Sequence, residues 1–179
     1  MEIAHCYLEG NVDAVEFCPH ELFHQVLAVS TYTLQEGDQP NRCGSISLFS
    51  VDADSNQLDT FHQVETSGIF DIKWTSVGAS PLLAQADASG YVKLHSLGSG
   101  SNGSENGVEV LKEICGEMVS SSMCLCLDWN PSATSITVGL SDGSISVLTL
   151  AESQLRFNNH GKHMSMRSGL PVLTPNNQI

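Results

Sequence analysis

Seven histidines, six cysteines and a set of strand-borne aspartates are the residues of this 179-residue chain that could do chemistry. His5, His20, His24, His62, His95, His160 and His163 are scattered. His20 and His24 stand four apart, the spacing of one helix face, but Pro19 and the strand pattern around them argue for a loop. Cys6, Cys18, Cys43, Cys115, Cys124 and Cys126 include no Cys-x-x-Cys pair, so no dithiol redox centre is expected. Cys124 and Cys126 lie two apart on an alternating segment and are expected to share a face as buried free thiols, the state of a reducing compartment. Ester hydrolysis through a nucleophile elbow wants Gly-x-Ser-x-Gly, and that pattern does not occur. No metal and no cofactor is expected. Asp87 and Asp142 fall in tight turns, where a carboxylate caps backbone amides. Asp71 and Asp128 precede tryptophans and either face a central channel or pair with a neighbouring sheet; spacing leaves both open.

The elements that carry these residues repeat. Leu82–Ala86 is a short apolar run, Asp87-Ala88-Ser89-Gly90 is a turn with a glycine for its positive φ, and Tyr91–His95 resumes with period-two alternation. This hairpin recurs as Ile136–Leu140, Ser141-Asp142-Gly143 and Ser144–Leu150. An earlier copy runs from Gln25–Ser30 through a longer insert to Gly44–Phe49. Each hairpin follows an alternating strand that ends in an aromatic residue, Phe17, Trp74 or Trp129. A strand–aromatic–loop–hairpin unit repeated at tens of residues marks β-propeller blades rather than a sandwich or barrel. The expected fold is all-β: an incomplete WD40-type propeller of about three four-stranded antiparallel blades.

Length and charge add limits. A blade takes about 40–45 residues and a ring four to eight blades, so the chain reads as part of a propeller, a fragment or truncated form. An open ring leaves strand edges and an apolar blade face uncovered, which invites self-association. There are 7 basic and 20 acidic residues, for a net charge of −13. Residues 1–155 hold all the acidic residues and only Arg42, Lys73, Lys93 and Lys112 as bases, a surface that repels phosphate backbones and excludes nucleic acid as a partner. The amino terminus lacks a basic region followed by an apolar core, and no stretch reaches the roughly 18 apolar residues of a membrane span. A cytoplasmic protein without membrane contact is expected.

Along the chain, Met1–Gly10 reads as a lead-in strand, Asp13–Val51 as blade one with Leu58–Glu65 as its outer strand, and Gly68–Leu97 as three strands of blade two. Gly98–Gly107 is a low-complexity excursion, after which Val108–Ile114 supplies the outer strand of blade two. Met123–Leu150 is blade three. Residues 1–155 are thus the propeller part. Residues 156–179 hold no acidic residue and no periodicity, with Pro171 and Pro175 as breakers, and form an expected disordered tail.

The segments Asp13–Pro19, Leu27–Leu34, Gly44–Ser50, Ile69–Trp74, Ala84–Gly90 and Leu125–Trp129, in that order, resemble the amino-terminal blades of the WD-repeat diphthine methyltransferase family, also called diphthamide biosynthesis protein 7. The Ala-Asp-Ala-Ser-Gly turn and the Ile-x-Asp-x-Lys-Trp strand carry most of the likeness. The resemblance implies a methylesterase, despite the older name. It would remove the methyl ester of methylated diphthine on a histidine of translation elongation factor 2, its protein partner. No motif carries catalytic residues onto positions here, so these stay unknown, and a form without later blades is expected to be weakly active or inactive. The substrate's trimethylammonium group favours aromatic faces and carboxylates, for which Tyr32, Trp74 and Tyr91 are available. The alternative is a non-catalytic WD-repeat scaffold for protein–protein interaction.

Overall fold

The computed structural model describes residues 4–78, 80–99, 109–151 and 154–157. These form three four-stranded antiparallel sheets, each in simple chain order. Blade 1 comprises β1 (Asn11–Phe17), β2 (Val26–Gln35), β3 (Asn41–Asp52) and β4 (Gln57–Ser67). Blade 2 comprises β5 (Ile69–Val77), β6 (Ser80–Asp87), β7 (Tyr91–Ser99) and β8 (Glu109–Met118). Blade 3 comprises β9 (Cys124–Trp129), β10 (Ser135–Leu140), β11 (Ile145–Ala151) and β12 (Gln154–Phe157). β12 carries two residues past the expected limit at 155, and the rest of the tail lies outside the described residues.

The strands follow from their side chains. β6 (Ser-Pro-Leu-Leu-Ala-Gln-Ala-Asp) is buried from Pro81 to Asp87, so its residues need no polar alternation: both faces are covered. Leu83 packs toward blade 1, in a core with Cys18, Val26, Ala28, Ile46, Leu48, Ile72 and Trp74. Ala84 and Ala86, on the opposite face, pack with Val92, Leu94, Cys124, Leu127, Ile136, Val138 and Leu148 in a second core shared with blade 3. Each fully buried Leu or Ile contributes about 1.5–3 kcal/mol, so two apolar layers hold three sheets face to face.

Turn chemistry fixes the hairpins. In the β6–β7 turn the Asp87 carboxylate accepts the N–H groups of Ser89 at 2.9 Å and Tyr91 at 3.0 Å, while Gly90 takes φ +83°. A Cβ at Gly90 would run into the Ser120 carbonyl of the chain entering blade 3. The β10–β11 turn repeats the device: Asp142 accepts the Ser144 N–H at 2.9 Å and its hydroxyl at 2.6 Å, which holds the Asp142 carboxyl below the usual range.

Two local expectations change. Residues 4–10 carry no strand; Gly10, at φ +99°, takes a left-handed conformation in which a strand cannot continue. Cys124 is buried but Cys126 is exposed, because the β9–β10 register shifts between Gly139 and Leu140. That bulge turns the two thiols to different surroundings, and burial pushes Cys124 up to about 12.

Candidate functional site

The three inner strands, β1, β5 and β9, each present an edge with no further strand beside it, so their outward N–H groups need partners. For β5 and β9 the preceding blade supplies one. Glu16 of β1 accepts the Trp74 N–H through Oε2 at 3.2 Å, and the Glu16 carbonyl accepts the Trp74 indole N–H at 3.2 Å. One blade on, Asp71 Oδ2 accepts the Leu127 N–H at 3.0 Å and the Lys73 carbonyl accepts the Trp129 indole N–H at 3.1 Å. Each joint is therefore bracketed by a carboxylate and an indole. Asp71 pairs with the neighbouring blade, which decides the choice that spacing left open. Asp128 accepts its own neighbour's N–H, that of Trp129, at 2.9 Å and is exposed.

Lys73 lies between two of these carboxylates, 3.7 Å from Asp71 and 3.9 Å from Glu16. At such distances and partial exposure the pairs contribute about 0–1 kcal/mol each. Burial raises the Glu16 pKa; Lys73 and the Trp74 N–H oppose the rise, and the charges of Asp71 and Asp128 add to it. Sequence reading missed Glu16, since a glutamate one residue before an aromatic is common on any exposed strand face.

A groove of about 420 Å³ opens beside the β6–β7 hairpin, lined by Ser67, Asp87, Ser89, Tyr91, Lys93, Glu113 and Gly116. Lys93 donates to Glu113 across its wall at 3.0 Å. The aromatics proposed to greet a quaternary cation are not gathered there. Tyr91 lines the groove. Tyr32 instead stacks on Phe70 of blade 2, with ring centroids 4.9 Å apart. Trp74 is 6% exposed and spends its N–H on the joint.

The histidines divide by environment. His95 is buried, its Nε2 within 2.8 Å of Gln85 Oε1 and its Nδ1 without a partner. Burial depresses its pKa to about 4, with Glu113 opposing and Lys93 adding to the shift. No solvent path makes it a general base. His20-Glu21-Leu22-Phe23-His24 spells the H-E-x-x-H pattern of zinc proteases, which the sequence reading wrongly took to be absent. That chemistry needs an α-helix to bring both rings to one face. The segment is instead a single 3-10 turn, in which His20 Nδ1 accepts the Leu22 N–H and His24 Nδ1 lies 2.9 Å from the Glu21 carbonyl. Among the described residues no group of three or more His, Cys, Asp or Glu could hold a metal ion. No helix among them is long and apolar enough to cross a membrane.

Three stacked four-stranded sheets with bracketed inner edges define consecutive blades of a WD40-type β-propeller. Crystal structures of Sqt1 from Chaetomium thermophilum share this architecture. One aligns over 83% of this chain and 34% of its own with a TM-score of 0.55 and 18% identity. Another, bound to the N-terminus of the ribosomal protein L10, aligns over 79% and 34% with the same score and identity. No protein-family profile matches the chain. Diphthine methyltransferase of Mus musculus is 33% identical over 100 residues, which cover 48% of this chain and 21% of the mouse protein. This agrees with the resemblance read from the ordered segments. The matched region spans about a fifth of that relative's length.

Proposed function

We propose that this chain acts in diphthamide formation, on the methyl ester of methylated diphthine in translation elongation factor 2. The observation that carries the reading is the 33% identity to the mouse protein over 100 residues. In the reaction, water adds to the ester carbonyl, methanol leaves and a carboxylate remains, while the trimethylammonium group is untouched. The net charge of −13 draws in a basic protein segment. Tyr91 and Glu113 on the groove suit a quaternary cation, which an aromatic face and a carboxylate both attract. The activation of water has less support: His95 is closed off, and Glu16, with its raised pKa, is engaged by the Trp74 N–H. The 179-residue chain is therefore expected to bind this substrate, in the cytoplasm, better than it turns it over.

The test is mass spectrometry of the modified histidine peptide after incubating elongation factor 2 that carries methylated diphthine with the chain. Slow loss of one methyl group, above the no-protein control, supports the reading. A second reading, a non-catalytic module that binds a protein segment, is favoured by the Sqt1 structure bound to a ribosomal protein's terminus. Saturable binding of elongation factor 2 irrespective of the ester, without hydrolysis, would favour it instead.

A further inference from the structure

The groove beside the β6–β7 hairpin carries an ion pair that the other two blades do not repeat. The sheet registers put the three blades in one frame: Phe17 lies opposite Leu27, Trp74 opposite Leu83 and Trp129 opposite Ile136. In that frame Lys93, opposite Gln85, has Ser47 and Ser146 as counterparts. Glu113, opposite His95, has Thr60 and Phe157. The blade architecture therefore does not ask for this pair. A bulge makes it: the β7–β8 register shifts between Leu94 and His95, so that Gly116 stands opposite Lys93 and Glu113 opposite His95. On a regular strand positions 113 and 116 would face opposite ways; the bulge brings both to the face of Lys93. Glycine keeps that face open, since a Cβ at 116 would stand 3.2 Å from Lys93 Cγ and 3.7 Å from Glu113 Oε1. Ser67, at the end of β4, adds a wall from blade 1. The groove thus lies at the mouth of the joint between blades 1 and 2.

We propose that this groove is a site for a zwitterion that joins a quaternary ammonium to a carboxylate, and that it holds the hydrolysed product more tightly than the methyl ester. The inference rests on the reading above, which supplies the ligand: loss of the ester leaves the trimethylammonium group beside a free carboxylate. Lys93 Nζ donates to Glu113 Oε2 at 3.0 Å, with the two side chains 29% and 48% exposed. A pair this exposed contributes little, so a ligand that brings both charges can part it at small cost. The ligand's ammonium then meets the Glu113 carboxylate and the face of Tyr91. Its carboxylate takes the N–H that Lys93 withdraws from Glu113. The methyl ester offers Lys93 only a neutral carbonyl, while the Lys93 ammonium repels its cation. Asp87 also lines the groove, but it is 1% exposed and its Oδ1 is spent on the Ser89 and Tyr91 N–H groups. The remaining acidic charge of the chain disfavours the product's carboxylate from a distance, and salt at about 0.15 M screens that more than it screens Lys93 in contact.

Nuclear magnetic resonance titration of the 179-residue chain at about 0.15 M salt tests this with trimethylglycine, its amide and tetramethylammonium. Only the first of these probes carries a carboxylate. Shifts are expected at the amides of Tyr91, Lys93 and Glu113, with trimethylglycine binding roughly fivefold tighter than its amide, the worth of one net hydrogen bond. That comparison is made on the unaltered chain and needs no variant to fold. Lys93→Gln should erase the preference and tighten the amide, because the repelling ammonium is gone. Tyr91→Leu should weaken all three probes and keep the preference. Equal affinities in the unaltered chain, a preference that survives Lys93→Gln, or no shift in the groove with any probe overturns the inference. The methyl-ester reading fails separately. Loss of the methyl group in the mass-spectrometric assay without a preference for trimethylglycine would sink the zwitterion site alone. A preference without hydrolysis would keep the site and count against the reaction.

Discussion

The two faces of blade 2 are built from the same strands but not from the same chemistry. Toward blade 3 it presents Ala84, Ala86, Val92 and Leu94, all apolar and all buried. Toward blade 1 it buries Gln85 and His95 beside Leu83. At the places of Gln85 and His95, blade 1 has Val29 and Phe49 and blade 3 has Val138 and Leu148, by the shared register. A propeller joint therefore does not need the polar pair. Burying it leaves His95 Nδ1 unpartnered and makes one joint sensitive to protons while its neighbour is not.

The largest expected effect lies on the apolar face. Leu94→Ala should destabilise the chain by about 3–5 kcal/mol through a cavity in the blade 2–blade 3 core, read as a lower denaturant midpoint with an unchanged slope. A loss below about 1 kcal/mol would mean that this face is not packed as described.

The polar face should answer to acid. His95 has a pKa of about 4 against an ordinary 6.5, so between these values the unfolded chain binds the proton that the folded chain refuses. The contribution of His95 to stability is complete above about pH 6.5 and falls away as the pH drops toward 4, by up to about 3 kcal/mol. Chemical denaturation at a series of pH values measures it. The double variant Gln85→Val, His95→Leu, which copies the pair of blade 3, should flatten that slope and be near-neutral in stability at pH 7. If the slope survives in the double variant, the acid-sensitive group lies elsewhere.

The brackets on the inner edges should count for less. Trp129→Phe keeps most of the ring and removes the N–H given to the Lys73 carbonyl, so it should cost about 1 kcal/mol. A neutral result would reduce that bracket to a contact without energetic weight.

How much of this was legible in the sequence depends on whether a feature is local. The hairpins at Asp87–Gly90 and Ser141–Gly143 could be read because turn chemistry and alternation act within a few residues. The burial of Leu82–Ala86 on both faces could be read because an unbroken apolar strand has no solvent side to offer. Cys126 could not be placed, since a bulge against β10 breaks period-two counting without changing a letter. The joint partners of Asp71 and Glu16 lie 56 and 58 residues away, and no spacing rule within one strand reaches that far. His20 and His24 match a zinc-protease word, yet Pro19 and a three-residue 3-10 turn deny them the helix that gives the word its meaning.

Each blade seals the inner edge of the next, and amide hydrogen exchange at Leu127 is the sharpest probe of that seal. Its N–H points away from β10 to Asp71 of blade 2, so only blade-on-blade packing protects it. Slow exchange is expected at Leu127 and Trp74 in the unaltered chain, with Asp71→Ala accelerating Leu127 while leaving Trp74 slow. Fast exchange at both amides in the unaltered chain, beside protected interior strands, would mean that the sheets fold without stacking and that no blade seals its neighbour.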